Sequence, residues 1–171
     1  MSTRRETWTF PTPFDYIHTR CSLGSYSSYK TEIAQQAFRN LTPGTGWLEA
    51  QEITCDICCD DESLPRDGAL VRWADEMRRA SAALDRPLSG YHEGLRTWFE
   101  EVGFTDVREL VFKIPLGHWP KDRRLKELGA RWRANFIEGL SAFSMAIFHR
   151  AFQRSAEETE VCFFFPPPNP G

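Results

Sequence analysis

The sequence predicts an α/β domain in which about three strands are flanked by helices, and three observations carry that expectation. Short blocks rich in aromatic and β-branched residues occur near residues 14–18, 47–53 and 107–114. The stretches between and after them repeat their apolar residues at helical spacing. With 171 residues, 41% of them hydrophobic, the chain is long enough to bury a core of its own.

Residues 1–13 form a polar, proline-punctuated N-terminal segment. Phe14, Tyr16, Ile17 and His18 then make a block short enough for a buried strand, and Cys21 to Ser28 reads as a loop whose Ser27 or Ser28 caps a helix. That helix is expected over about 29–41, with Ile33, Ala34, Ala37, Phe38 and Leu41 facing inward and Lys30, Glu32, Gln35, Gln36 and Arg39 outward. Pro43, Gly44 and Gly46 stop it, and Trp47–Ile53 is a second strand, which completes a strand–helix–strand unit. Residues 54–65 carry Asp56, Asp60, Asp61 and Glu62, too densely charged for a core, and read as a loop at that strand's carboxyl end.

A second helix is expected from Ala69 to about Leu84, with Leu70, Trp73, Met77 and Ala80 on its stripe and Arg86-Pro87 closing it. A third runs over about 90–102, with Tyr91, Leu95, Trp98, Phe99 and Val102 on one side and Gly103 placed to end it. In Val107–Ile114 the residues Leu110, Phe112 and Ile114 alternate with Glu109, Val111 and Lys113, which predicts a partly exposed third strand stopped by Pro115. Asp122 caps a long helical region over about 123–152, with a break expected near Gly129 or Gly139 and with Leu125, Leu128, Trp132, Phe136, Leu140, Phe143 and Ile147 inward. Ser155 and Glu158 have capping-box spacing and begin a last helix that runs to Phe165. The main domain is thus expected over 14–165, with a proline-rich tail at 166–171.

Composition narrows the function. Twenty-one Lys and Arg against 24 Asp and Glu leave a net charge of −3, which argues against nucleic acid as the main partner because no excess positive field is present. No run of about 18 apolar residues predicts a membrane span, and the first ten residues lack the apolar stretch of a secretory signal. Five cysteines, an odd number, then read as reduced thiols of an intracellular protein, in cytoplasm or nucleus. Cys55, Cys58 and Cys59 approximate a metal hairpin, but no second Cys or His pair stands at a suitable spacing, so no metal site is expected.

Several blocks together resemble one family. Trp8-Thr9-Phe10, FDYIHTR (14–20), NLTPGTGWLEAQE (40–52), LVRWADEMRRA (70–80), the run 103–129 and RWRANFIEGLSAFSMAIF (131–148) are similar, in that order, to the C-terminal half of fungal LaeA-like S-adenosylmethionine-dependent methyltransferases. The resemblance implies a partial Rossmann-like methyltransferase fold, in which the three strand blocks correspond to the fourth, fifth and sixth strands. It also implies S-adenosyl-L-methionine as methyl donor, an unidentified methyl acceptor and a setting in secondary metabolism. Pro43-Gly44-Thr45-Gly46-Trp47 is one residue longer than the family's usual turn. The sequence holds no strand followed by a glycine-rich turn and no acidic partner for the ribose hydroxyls, so a truncated methyltransferase, weakly active or inactive, is expected. VCFFFPPPNPG (161–171) stands where the family has a final antiparallel strand, so sheet edges are left uncovered. The alternative is a non-catalytic interaction module, derived from a methyltransferase, whose exposed sheet edge recruits a protein partner or a second copy.

Within that frame five residues are candidates. His18, at the end of the first strand, either removes a proton from the methyl acceptor or is an ordinary hydrogen-bonded histidine. Arg20 either pairs with the donor's carboxylate or forms a structural ion pair. Glu49 and Gln51, like Glu52 beside them, either orient substrate or face solvent. Trp119 either closes over a flat acceptor or packs beside Pro120.

Overall fold

The computed structural model describes residues 7–159. Its sheet has two parallel strands, β1 (Tyr16–Arg20) and β2 (Trp47–Gln51), paired in the register Tyr16 to Trp47, His18 to Glu49 and Arg20 to Gln51. The main chain extends this pairing at both ends, with Phe14 N–H donating to Asn40 O at 2.8 Å and Cys21 N–H to Gln51 O at 3.0 Å. The first strand therefore begins two residues later than its sequence suggested and ends at Arg20. It is not buried on both sides: Ile17, Thr19, Leu48 and Ala50 turn inward, while Tyr16, His18, Arg20, Trp47, Glu49 and Gln51 form an open outer face. The period of two in a strand assigns one face to the helix layer, and no described element covers the other.

The crossover between the strands is a π-helical turn, Lys30–Ala34, that passes directly into α1 (Gln35–Asn40). Its start is fixed by Glu32, whose carboxylate accepts from Ser27 N–H at 3.0 Å, Ser27 Oγ at 2.7 Å and Ser28 N–H at 3.0 Å, satisfying donors that a helix start leaves open. Ile33, Ala34, Ala37 and Leu41 are buried as expected. Phe38 is instead largely exposed, edge-on to Phe104, and Gln36 is buried and accepts from Trp8 N–H at 3.4 Å.

Beyond the acidic loop come α2 (Ala69–Ala83), α3 (Tyr91–Val102) and α4 (Arg123–Phe152). The apolar interior has two centres. Tyr29 and Ile33 gather Leu95, Trp98 and Phe99 of α3 together with Ala50 of β2, which seals the inner face of the sheet. Met77, Ala80, Leu88 and Phe148 join α2 to the second half of α4, and Leu23, in the loop after β1, touches both clusters. Gly103 ends α3 at φ +116°, a conformation side-chain-bearing residues seldom adopt.

Three further expectations need correction. Val107–Ile114 forms no strand, and Leu110, Val111 and Phe112 are 79%, 71% and 80% exposed. Alternation gives a segment the side chains of a strand, but a strand exists only where a neighbour completes its ladder, and none of the described residues does so here. Secondly, α4 is one uninterrupted helix of 30 residues, capped by Asp122, whose carboxylate accepts from Leu125 N–H at 2.9 Å. Gly129 does not break it but lets the segment before it approach: a Cβ there would lie 1.9 Å from the Gly117 carbonyl oxygen. Thirdly, Leu125 and Leu128 are substantially exposed, because α4 packs on α2 mainly through its second half, where Ser144 and Phe148 are buried and Ser144 Oγ accepts from Trp73 Nε1 at 2.9 Å, and Phe143, within that half, is exposed because it lies off the buried face. The Ser155–Glu158 capping box is present, with Ser155 N–H donating to Glu158 at 2.8 Å and Glu158 N–H to Ser155 Oγ at 3.1 Å. The expected run to Phe165 and the tail at 166–171 lie outside the described residues.

Candidate functional site

Parallel pairing brings four of the five candidate residues together. His18 and Arg20 on β1 and Glu49 and Gln51 on β2 share the outer face, with His18 opposite Glu49 and Arg20 opposite Gln51. Because β1 runs on to Arg20, His18 stands in mid-strand rather than at the strand's end. Glu49 is the centre of this face: it accepts from the Tyr16 hydroxyl and, at 2.7 Å, from Gln51 Nε2. The Tyr16 hydrogen bond first, then that from Gln51, and more weakly the positive field of His18, hold the Glu49 carboxyl below its ordinary pKa. The same bond and charge raise the Tyr16 phenol. Glu49 is thereby kept as a carboxylate beside an imidazole, with the rings of Tyr16 and His18 stacked 6.1 Å apart. Trp119 lies elsewhere, exposed, its ring folded over Gly117 ahead of α4.

The carboxyl edge of the sheet is organised by a residue that the sequence placed only beside the candidates. Glu52, just past β2, accepts from Ser22 N–H and Ser22 Oγ, both at 2.7 Å, and from Thr19 Oγ1 at 3.3 Å, while Thr19 Oγ1 and the buried Tyr29 hydroxyl lie 2.6 Å apart. One carboxylate thus ties the loop after β1 to the end of β2. Burial, with Glu52 and Glu32 nearby, raises the phenol of Tyr26 in that loop. Replacing Glu52 by Ala removes charge-assisted bonds and leaves the Ser22 N–H unpaired, so urea unfolding should report a loss of about 1–3 kcal/mol, with faster amide exchange at Ser22. Glu52→Gln keeps an acceptor and should lose less; unchanged stability and exchange in Glu52→Ala would show that the loop is held otherwise. The signal was readable in principle, as a Glu one residue past a strand facing a serine-rich loop, but nothing in sequence fixes which of Glu49 and Glu52 turns inward.

In the acidic loop, Asp61 accepts from Ser63 Oγ at 2.7 Å and from the Cys59 thiol at 3.1 Å, which together with Ser63 N–H lower its carboxyl to about 2. Burial raises the Cys55 thiol, which packs beside the α2–α4 core, so it is a poor metal ligand or nucleophile. Among the described residues no group of three or more His, Cys, Asp or Glu is placed to hold a metal ion, and no helix is long and apolar enough to cross a membrane.

The glycines bear on donor binding. A cofactor cradle needs glycines after a strand whose missing Cβ leaves room for ligand. Gly24, after β1, faces Leu88 at 3.0 Å, and Gly46 is closed by Leu41 and Thr42 at 2.9 Å. Gly44 opens on free space, but at the amino end of β2. The glycines of the described loops therefore leave no such cradle at the carboxyl ends of β1 and β2.

Comparison with known proteins gives a consistent picture. The chain is 35% identical over 154 residues to methyltransferase pytC of Aspergillus terreus, covering 90% of this chain and 47% of that protein. It is 34% identical over 139 residues to the secondary metabolism regulator LAE1 of Cochliobolus heterostrophus, covering 81% and 45% respectively. Against the protein-methionine methyltransferase laeA of Chaetomium globosum it is 30% identical over 128 residues, covering 75% and 40%. The chain spans about half the length of the curated relatives it matches. No family model matches, and no solved structure matches.

Proposed function

We propose that this chain, which is similar to the LaeA-like fungal methyltransferases, forms the acceptor side of such an enzyme, the adenosine of S-adenosyl-L-methionine being held by a different part of it. The observation that carries this reading is the similarity to pytC across 90% of the chain, which includes the β1–helix–β2 unit and the outer face it presents. Methyl transfer is an in-line displacement that depends on alignment more than on acid or base strength, so an ordered polar face is what the acceptor side must supply. On this reading His18 takes the acceptor's proton, Glu49 faces it from the opposite strand, and Gln51 fixes the Glu49 carboxylate. Arg20, opposite Gln51 and without an ion-pair partner among the described residues, is available to a carboxylate. The setting proposed is intracellular, in cytoplasm or nucleus.

Because the glycines of the described loops leave no donor cradle at the carboxyl ends of β1 and β2, calorimetric titration of the 171-residue polypeptide with S-adenosyl-L-methionine should show no saturable binding up to roughly 1 mM. Micromolar binding would refute the division of labour. Exchanging the matching stretch of pytC for this chain tests the acceptor side directly: S-adenosyl-L-homocysteine should be released, and His18→Ala should slow that release about 100-fold. A hybrid that binds donor but transfers nothing would count against the reading. The exposed segment 108–114 favours a second role, association with another chain.

A further inference from the structure

We propose that Glu109–Lys113 is a self-pairing strand through which two copies of this chain associate, antiparallel and centred on Val111. Every residue from Arg108 to Ile114 is exposed, yet the segment has the alternation of a strand, and among the described residues nothing pairs with it. Its charge pattern selects the occupant. When two copies run antiparallel about Val111, Glu109 of each faces Lys113 of the other, Leu110 faces Phe112, and Val111 faces Val111. A slip that places the centre between Leu110 and Val111 sets Arg108 against Lys113 and Glu109 against Phe112. Centres at Leu110 or Phe112 leave Glu109 and Lys113 without an opposite charge. One register therefore matches both charge and apolar side chains, and it also places two Leu and two Phe rings side by side on one face, covering surfaces that are now about four-fifths exposed.

The neighbouring chain limits the strand. Pro115 cannot donate to a ladder, and Asp106, at φ +54°, turns the chain just before the segment. Lys113 now contacts Asp60 at 2.6 Å, with both side chains about three-quarters exposed, so exchanging that partner for Glu109 of a second copy costs little. Pairing so short a strand buries much less than the ~1,200 Å² of a stable interface, so a weak dimer is expected, with a dissociation constant on the order of 100 μM.

Sedimentation equilibrium of the full chain from about 10 μM to 1 mM tests this, with circular dichroism to verify folding of each variant. Glu109→Lys and Lys113→Glu each create two like-charge pairs per dimer and should each weaken association roughly tenfold. An equimolar mixture of the two variants, and the double variant E109K/K113E, restore opposite charges and should recover wild-type association. Asp60→Asn frees Lys113 and should leave association intact or stronger. A wild-type chain that stays monomeric at 1 mM overturns the proposal, as does a dimer that neither single variant weakens. Failure of the mixture to recover rejects the register centred on Val111. These outcomes are independent of donor binding.

Discussion

Phe148→Ala should lower the stability of the folded chain by about 3–5 kcal/mol, the largest loss expected from any single truncation in the α2–α4 core. Phe148 has no exposed surface, stacks on Phe152 at 6.1 Å and lies beneath the Arg154 guanidinium at 5.3 Å. Arg154 is in turn paired with Glu76 of α2 at 2.6 Å, both side chains only about a quarter exposed. Removing the ring therefore empties a cavity between α2 and α4 and also removes the apolar floor beneath a partly buried charge. For a domain of this size a loss near 4 kcal/mol corresponds to a fall in Tm of about 10 °C. Phe148→Leu, which refills most of the space, should recover half or more of that. If Phe148→Ala melts within about 2 °C of the wild type, α4 is not held to α2 through this residue.

The second large effect is a substitution that helix propensity alone would score as favourable. Gly129→Ala, inside a helix, should gain about 1 kcal/mol on propensity. In this fold the added methyl would sit 1.9 Å from the Gly117 carbonyl oxygen and 3.1 Å from Pro115 Cβ, and the nearest of these atoms is backbone, which cannot swing aside. The contact outweighs the propensity, and a net loss of about 2 kcal/mol is expected, with segment 115–119 displaced from α4. Gly139→Ala is the internal comparison, because the three atoms nearest a Cβ there all belong to the ring of Phe143, an exposed side chain that can rotate. It should be neutral or stabilising. Denaturant midpoints of the two variants, together with the environment of Trp119 followed by fluorescence, separate the outcomes; equal stabilisation by both would show that 115–119 does not lie against α4.

The strand–helix–strand unit was legible because each of its parts is specified within a few residues. Short aromatic and β-branched blocks mark both strands, although the first runs over Tyr16–Arg20 and not 14–18, helical spacing marks Ile33, Ala34 and Ala37, and Ser27 and Ser28 lie at the helix start, where they donate to Glu32 and do not themselves cap it. The four candidates His18, Arg20, Glu49 and Gln51 came together for the same reason, since a parallel pair joined by one helix places equivalent positions side by side. The role of Glu52 was not legible, because it depends on Ser22 and Thr19, 30 and 33 residues away in the chain.

Local chemistry settles where elements begin and end. Asp122 starts α4, Gly103 stops α3, and Ser155 with Glu158 starts the next turn, each through hydrogen bonds or torsions confined to one helical turn. Neighbours distant in sequence settle the rest: that Gly129 is a point of contact and not a break, that the first half of α4 keeps Leu125 and Leu128 exposed, and that Val107–Ile114 has no ladder partner among the described residues. A cap carries both of its partners within itself, whereas a ladder or a buried face requires a second surface, and the residues of one segment cannot supply it.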